Sequence, residues 1–223
     1  KRTNTRDIAR GLSALFVSIA VSASVVLPAA ADDPLTQHVD SSEQGVREEA
    51  TIERGHVDLG PKIVDSKPEI LARDDSGETP IWRPLDTLVF RVSESGKLQV
   101  PSDPSYSFLH AHEGESYWVI PQTQNPRVVW LGWNTQDPEL IKVMGSGATM
   151  TLGNLQGPGQ AWLFLQDGAF GAPTVLYDSS TSSQSDIWVE ANTHVHANWA
   201  FSAPGAYALS VRWCFGDKEG PQC

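Results

Sequence analysis

The chain has 223 residues, of which 16 are basic and 27 acidic, so its formal net charge is −11. An acidic chain lacks the positive surface that binds a phosphate backbone, and nucleic acid is therefore excluded as an expected partner. Eight tryptophans, 18 glycines and 15 prolines favour strands and turns over helices, and the length suits one domain with a sizeable core.

The first 31 residues have the pattern of a secretory signal peptide. Four basic residues precede an apolar run over 12–27, and the small residues Ala29 and Ala31 predict cleavage after residue 31. The alternative is an uncleaved membrane anchor, although the run is short for a bilayer. We expect a secreted or cell-surface protein with no membrane span after cleavage, in which Cys214 and Cys223 can form a disulfide.

The mature chain is predicted to consist of a lead-in and one domain. Residues 32–54 are polar and acidic with little periodicity, which indicates a flexible lead-in. Over 55–223, short strand patterns recur between Gly-, Pro- and Ser-rich turns, and the segment 128–133 is apolar on both faces, as in a central strand. These patterns predict an all-β fold, a single antiparallel β-sandwich of jelly-roll or immunoglobulin-like type with long loops.

Two histidines on one predicted strand are the first site candidates. In residues 193–201, Val195 and every second residue after it are apolar, so His194 and His196 share the opposite, exposed face. The Pro-Gly pair at 204–205 predicts a turn, after which residues 207–215 would return as the second strand of a hairpin.

Further metal-ligating residue types occur at the same spacing. Residues i and i+2 of a strand lie about 6–7 Å apart on one face, near enough for two side chains to reach one ion. His nitrogen and carboxylate oxygen are common zinc ligands, so zinc is favoured, while manganese and iron stay open. The candidate ligands are His194 and His196, with His56 and Asp58 as the natural supplement and His110 or His112 as the alternative one.

Six separated motifs in order resemble the actinobacterial surface-anchored protein domain, found in choice-of-anchor M proteins and in anchored, ABC-transporter-associated repeat proteins. The resemblance covers about Gly55 to Val211, most of the predicted mature chain. The motifs are Gly55-His56-Val57-Asp58-Leu59-Gly60, Pro121-Gln122-Thr123-Gln124-Asn125-Pro126, Trp130-Leu131-Gly132-Trp133-Asn134-Thr135-Gln136, Phe164-Leu165-Gln166, Phe170-Gly171-Ala172-Pro173 and Thr193-His194-Val195-His196-Ala197-Asn198-Trp199.

This resemblance implies an exported actinobacterial protein of a kind frequently encoded beside ABC transporters of the zinc and manganese type, and hence a role in metal handling at the cell surface. The expected function is therefore binding of a divalent transition metal, zinc first, in support of a metal ABC uptake system, without catalysis. Components of that transporter, or the cell wall, are the implied partners.

Two other functions remain open from the sequence. The first is a structural or adhesive surface module whose histidines bind nothing. The second is a cupin-like metalloenzyme, because His110 and His112 are followed by Glu115 and an aliphatic strand; the spacing from His112 to Glu115 is shorter than in cupins, and the downstream Pro-x-Gly-x-x-His element is absent from the sequence.

Overall fold

The chain is built mainly from strands in a computed structural model that describes residues 37–168, 171–218, 220 and 223. The predicted signal peptide lies outside the described residues. Within them, no helix combines the length and apolar character needed to cross a bilayer. The strands are β1 (Ala50–Ile52), β2 (Gly55–Val64), β3 (Lys67–Asp74), β4 (Ile81–Pro84), β5 (Leu88–Phe90), β6 (Lys97–Gln99), β7 (Ser116–Ile120), β8 (Val129–Asn134), β9 (Gly147–Gln156), β10 (Ala161–Gln166), β11 (Pro173–Asp178), β12 (Gln184–Glu190), β13 (His194–His196), β14 (Asn198–Phe201) and β15 (Ala208–Gly216).

Helix is confined to short turns in this part of the chain. One α-helical turn, α1 (Pro138–Ile141), begins after Asp137, whose carboxylate accepts a hydrogen bond from the backbone N–H of Leu140. Three 3-10 turns cover Leu85–Thr87, Glu94–Gly96 and Pro104–Leu109.

Three larger sheets and one two-stranded sheet contain these strands. The sheet that matters most for function has the order β13-β8-β2-β3-β4, and we call it the site sheet. The others have the orders β11-β10-β14-β7-β6, β12-β9-β15 and β1-β5. Most pairs are antiparallel, although β2 pairs with β8 and β1 with β5 in parallel. The prediction of an all-β, sandwich-like fold is confirmed.

One hydrophobic core joins the three larger sheets. Leu131 of the site sheet, Met150 of β9 and Leu163 of β10 belong to the same cluster, and each is buried. On β2 of the site sheet, this core takes one face, since Val57 and Leu59 belong to it and alternate with His56 and Asp58. The alternation leaves His56 and Asp58 on the second face of the site sheet, which carries Leu71 and Trp82 on the neighbouring strands. The predicted central strand is confirmed, because β8 is buried along its whole length between β13 and β2.

The hairpin predicted after residue 193 is wrong. The segment divides at the buried Ala197 into β13, which pairs with β8, and β14, which pairs with β10 and β7. The predicted return strand, β15, pairs with β9 instead of β14. The chain changes sheets at this point, which a period of two cannot reveal because alternation continues through the break.

The predicted flexible lead-in also needs correction from residue 37 onward. Val39 is buried against Leu71 and Trp82, on the polar-bearing face of the site sheet. Further along, β1 pairs with β5 and Ile52 enters the main core. This segment holds few apolar residues, and two of them, Val39 and Ile52, are buried in hydrophobic clusters. The disulfide expected between Cys214 and Cys223 is present.

A core truncation tests the shared core. Leu163 is fully buried in it, so Leu163→Ala is expected to lower the free energy of unfolding by about 2–5 kcal/mol through lost burial and a residual cavity. Leu98→Ala is the matched control, because Leu98 is exposed on β6 and should change the value by no more than about 0.5 kcal/mol. Urea denaturation of both variants makes the comparison, and equal effects would contradict a single core at this position.

Candidate metal centre

Three neighbouring strands bring the candidate ligands together on the second face of the site sheet. The middle strand, β8, contributes Gly132, which is paired with Asp58 of β2 on one side and with His196 of β13 on the other. His56 and His194 lie two residues before Asp58 and His196 on the same strands, so they project from the same face. Strand register therefore gathers four side chains from distant parts of the sequence.

The three imidazoles converge on one point through the same ring atom. Nε2 of His56 lies 2.9 Å from Nε2 of His196 and 3.2 Å from Nε2 of His194, and the last two atoms are 3.0 Å apart. In an ideal tetrahedron with Zn–N bonds of about 2.0–2.1 Å, ligand atoms are separated by roughly 3.3 Å. The nitrogens therefore have the spacing of ligands to a single ion.

Asp58 completes the group as a fourth donor. Its Oδ2 lies 3.0 Å from Nε2 of His194 and 3.5 Å from Nε2 of His56, while its Oδ1 is 3.8 Å from Nε2 of His196. The four donor atoms all lie within 4.8 Å of one another, and this group can hold a metal ion. The set of three imidazoles and one carboxylate is one that zinc accepts.

The cluster is buried, which corrects the expectation of an exposed face. The side chains of Asp58, His194 and His196 are 0%, 2% and 3% exposed, and that of His56 is 11% exposed. A carboxylate removed from water needs compensation by positive charge and hydrogen bonds. Asn134 Nδ2 supplies one weak contact at 3.4 Å, so compensation depends on the imidazoles and on any cation that they hold.

Neutral imidazoles alone cannot satisfy this arrangement. The Nε2 atom of a neutral imidazole carries either a proton or a lone pair. When three such atoms lie in mutual contact, at least two of them must be in the same state. At least one contact of about 3 Å is then proton against proton or lone pair against lone pair. A cation at the common point removes the conflict, because all three lone pairs then face it.

Outer contacts fix the orientation of His56. Its Nδ1–H donates to the carboxylate of Asp75, with 2.8 Å to each oxygen, and this directs the Nε2 lone pair toward the cluster. A carboxylate on the far nitrogen of a ligating histidine is a recurrent partner in metal sites, since it sets the tautomer and increases the basicity of the ligand.

Trp130 fixes the ring of His196. The indole and the imidazole are stacked with centroids 3.7 Å apart and planes within 9°. The indole N–H donates to the backbone oxygen of Gln122 at 2.8 Å. The side chain of Gln122 in turn accepts hydrogen bonds from the backbone N–H of Gln166 and from the amide of Asn198. The polar loop at 121–126 thus supports the stacking partner of a ligand.

Protonation in the cluster follows burial and neighbouring charge. Burial lowers the pKa of His196 to about 3, against the opposing pull of Asp58. Burial would raise the pKa of Asp58, but the hydrogen bond with His194 and the charges of the imidazoles hold it below its usual value. Burial opposes the proton on His56 as well, and the contacts with Asp75 and Asp58 still raise its pKa. The cluster therefore favours an ionised Asp58 carboxylate beside a neutral His196 imidazole.

Gly132 leaves the space in which the donors meet. A Cβ at this position would lie 2.5 Å from Oδ1 of Asp58, 2.5 Å from the backbone oxygen of Val195 and 2.9 Å from Cε1 of His196. The apolar run over 128–133, which predicted a central strand, therefore contains Gly132, where a side chain would collide with two candidate ligands.

The predicted supplement from His110 and His112 is wrong. His110 ends the 3-10 turn over 104–109 in the left-handed conformation, is exposed, and lies 3.7 Å from Asp178. His112 is exposed in the loop before β7. Neither belongs to the cluster, which also leaves the cupin-like arrangement around Glu115 without a second ligand group in the described residues.

Sequence reasoning found all four donors but missed the residues around them. Asp75 belongs to none of the six motifs. Trp130 and Gly132 lie in one of them, but the resemblance assigns them no role, since each acts through its neighbours across strands. The turn Asp74-Asp75 and the Gly within an apolar strand were the available signals, and neither indicates a metal site alone.

Comparison with known proteins provides no relative. No family model, no curated protein and no solved structure matches this chain. The resemblance to the surface-anchored protein domain therefore stays a prediction.

A glycine substitution tests the geometry of the cluster. Gly132→Ala is expected to weaken metal binding and to destabilise the fold by about 1–3 kcal/mol, because the new methyl group overpacks the site. Gly77→Ala is the control, since a Cβ there meets nothing within 4 Å. Metal content and urea denaturation would be measured for both; unchanged binding by Gly132→Ala would contradict the placement of the ion.

Proposed function

We propose that this protein is an exported metal-binding protein that holds one transition-metal ion, zinc, with His56, Asp58, His194 and His196, and that supports a metal ABC uptake system. The convergence of three Nε2 atoms within 2.9–3.2 Å carries the proposal. Neutral imidazole nitrogens with a single carboxylate suit zinc, whereas calcium takes six to eight oxygens.

The burial of the donors favours retention of the ion over rapid exchange. Only His56 has noticeable exposure, so removal of the ion requires that edge of the site to open. A protein that scavenges a scarce metal outside the cell benefits from this property, and the acidic surface expected of the mature chain accumulates cations around it. Delivery to a transporter would then need a partner that opens the site.

We also propose that the ion has no catalytic role. Catalytic zinc sites keep one coordination position for water or substrate, while structural sites fill all four with protein ligands. Here four protein donors lie within 4.8 Å of one another, enough for a complete tetrahedral set. The same feature favours, as a second candidate, a surface module in which the ion only stabilises the fold.

Metal analysis of matched double variants tests the ligand assignment. The purified protein is expected to contain about one zinc per chain, and His194→Ala with His196→Ala is expected to remove it. His110→Ala with His112→Ala is the control, because it removes another His-x-His pair that lies outside the cluster. Equal zinc content in the two double variants would contradict the proposal.

Thermal unfolding with and without chelator measures the strength of binding. An ion that binds only the folded chain raises the free energy of unfolding by about 2.7 kcal/mol at a free concentration one hundred times its Kd. The midpoint should therefore rise when zinc is added to the chelated protein and should stay constant in the His194→Ala, His196→Ala variant. A midpoint independent of zinc would support a surface module that binds no metal.

A further inference from the structure

The segment over residues 37–44 lies against the polar-bearing face of the site sheet. Val39 is buried there, and the backbone oxygen of Gln44 accepts a hydrogen bond from the N–H of Trp82. Ser41 offers its backbone oxygen to Lys62 at 3.4 Å. The segment is therefore docked by both apolar and polar contacts, beside the strands that hold the metal ligands.

Arg73 is the residue to which this segment is mainly attached. Its guanidinium is 4% exposed and donates to both oxygens of Glu43, at 2.7 and 2.8 Å. It also donates to the side-chain oxygen of Gln37 at 2.9 Å and to the backbone oxygen of His38 at 3.3 Å. The indole N–H of Trp82 adds a hydrogen bond to Glu43 at 2.8 Å. A buried guanidinium requires such partners, because unpaired it would be costly.

The same guanidinium contacts the outer shell of the metal centre. Nη1 of Arg73 donates to Oδ2 of Asp75 at 2.9 Å, and Asp75 accepts the Nδ1–H of His56 at 2.8 Å. A continuous chain of charged hydrogen bonds thus runs from Glu43 through Arg73 and Asp75 to His56. Its links are short and partly or fully buried, where such contacts are strong.

We propose that Glu43 and Arg73 are positioning residues of the metal centre, so that docking of the segment 37–44 and retention of the ion at His56 stabilise each other. This inference rests on the proposed metal binding. Arg73 divides its hydrogen bonds between Glu43 and Asp75, and loss of Glu43 leaves it free to shift. Asp75 would then hold His56 less firmly. Linkage is reciprocal, so the ion must also strengthen docking of the segment.

Zinc affinity of three isosteric variants tests the coupling in one direction. Asp75→Asn should raise the dissociation constant, measured against a competing chelator, by about 10–100-fold, the usual effect of losing an outer-shell partner. Glu43→Gln acts through Arg73 and Asp75 and should raise it by about tenfold, the lower end of that range. Asp86→Asn is the matched control. Asp86 forms a salt bridge with Arg47, which comes just after the segment 37–44 in the chain, and both side chains are exposed. It should leave the affinity unchanged.

Hydrogen exchange of the unaltered protein tests the other direction. Backbone amides of residues 37–46 are expected to exchange more slowly with zinc than with chelator, while amides of β12, in another sheet, serve as the reference. The cobalt-substituted protein adds a structural readout, since its visible spectrum reports ligand geometry and should change in Glu43→Gln but not in Asp86→Asn.

The outcomes separate this inference from the proposed function. A protein that binds no zinc overturns both. Wild-type affinity in Glu43→Gln, whatever the effect of Asp75→Asn, with zinc still bound by the unaltered chain, overturns only the positioning role. An equal loss of affinity in Asp86→Asn would also overturn it, because the effect would then belong to general destabilisation.

Discussion

The buried carboxylate of Asp58 is the constraint around which this part of the structure is arranged. It lies on a central strand, has no exposed surface and faces three imidazoles. A bare carboxylate in such a place is costly, and neutral rings compensate it incompletely. The absence of a side chain at Gly132 leaves room for a cation beside this carboxylate. The contacts of Asp75 and Trp130 orient two of the rings toward the same place.

Much of this centre could be predicted from the sequence because a strand has a simple period. Alternation placed His56 with Asp58, and His194 with His196, on common faces. Their convergence could not be derived, since it depends on β2 and β13 both pairing with β8 in matching register. Register is decided by the whole sheet, and a single sequence does not state it.

The errors have a common physical cause. Alternation identifies two faces of a strand but does not say what covers each one. The ligand face was therefore expected to be exposed, although the segment 37–44 and Trp130 help to cover it. For the same reason His110 and His112 stayed an alternative supplement to His194 and His196: both pairs are His-x-His, but only one pair lies on a paired strand next to other donors.

The donors also come from widely separated positions along the polypeptide, since His56 and His196 are 140 positions apart. The first half of the site therefore emerges long before the second, so no ion could be held by all four donors until His196 has been made. An ion held there would act as a cross-link that closes a very long loop, and such closures restrict the unfolded chain most. Occupancy would thus mark a chain in which β2 and β13 have both paired with β8.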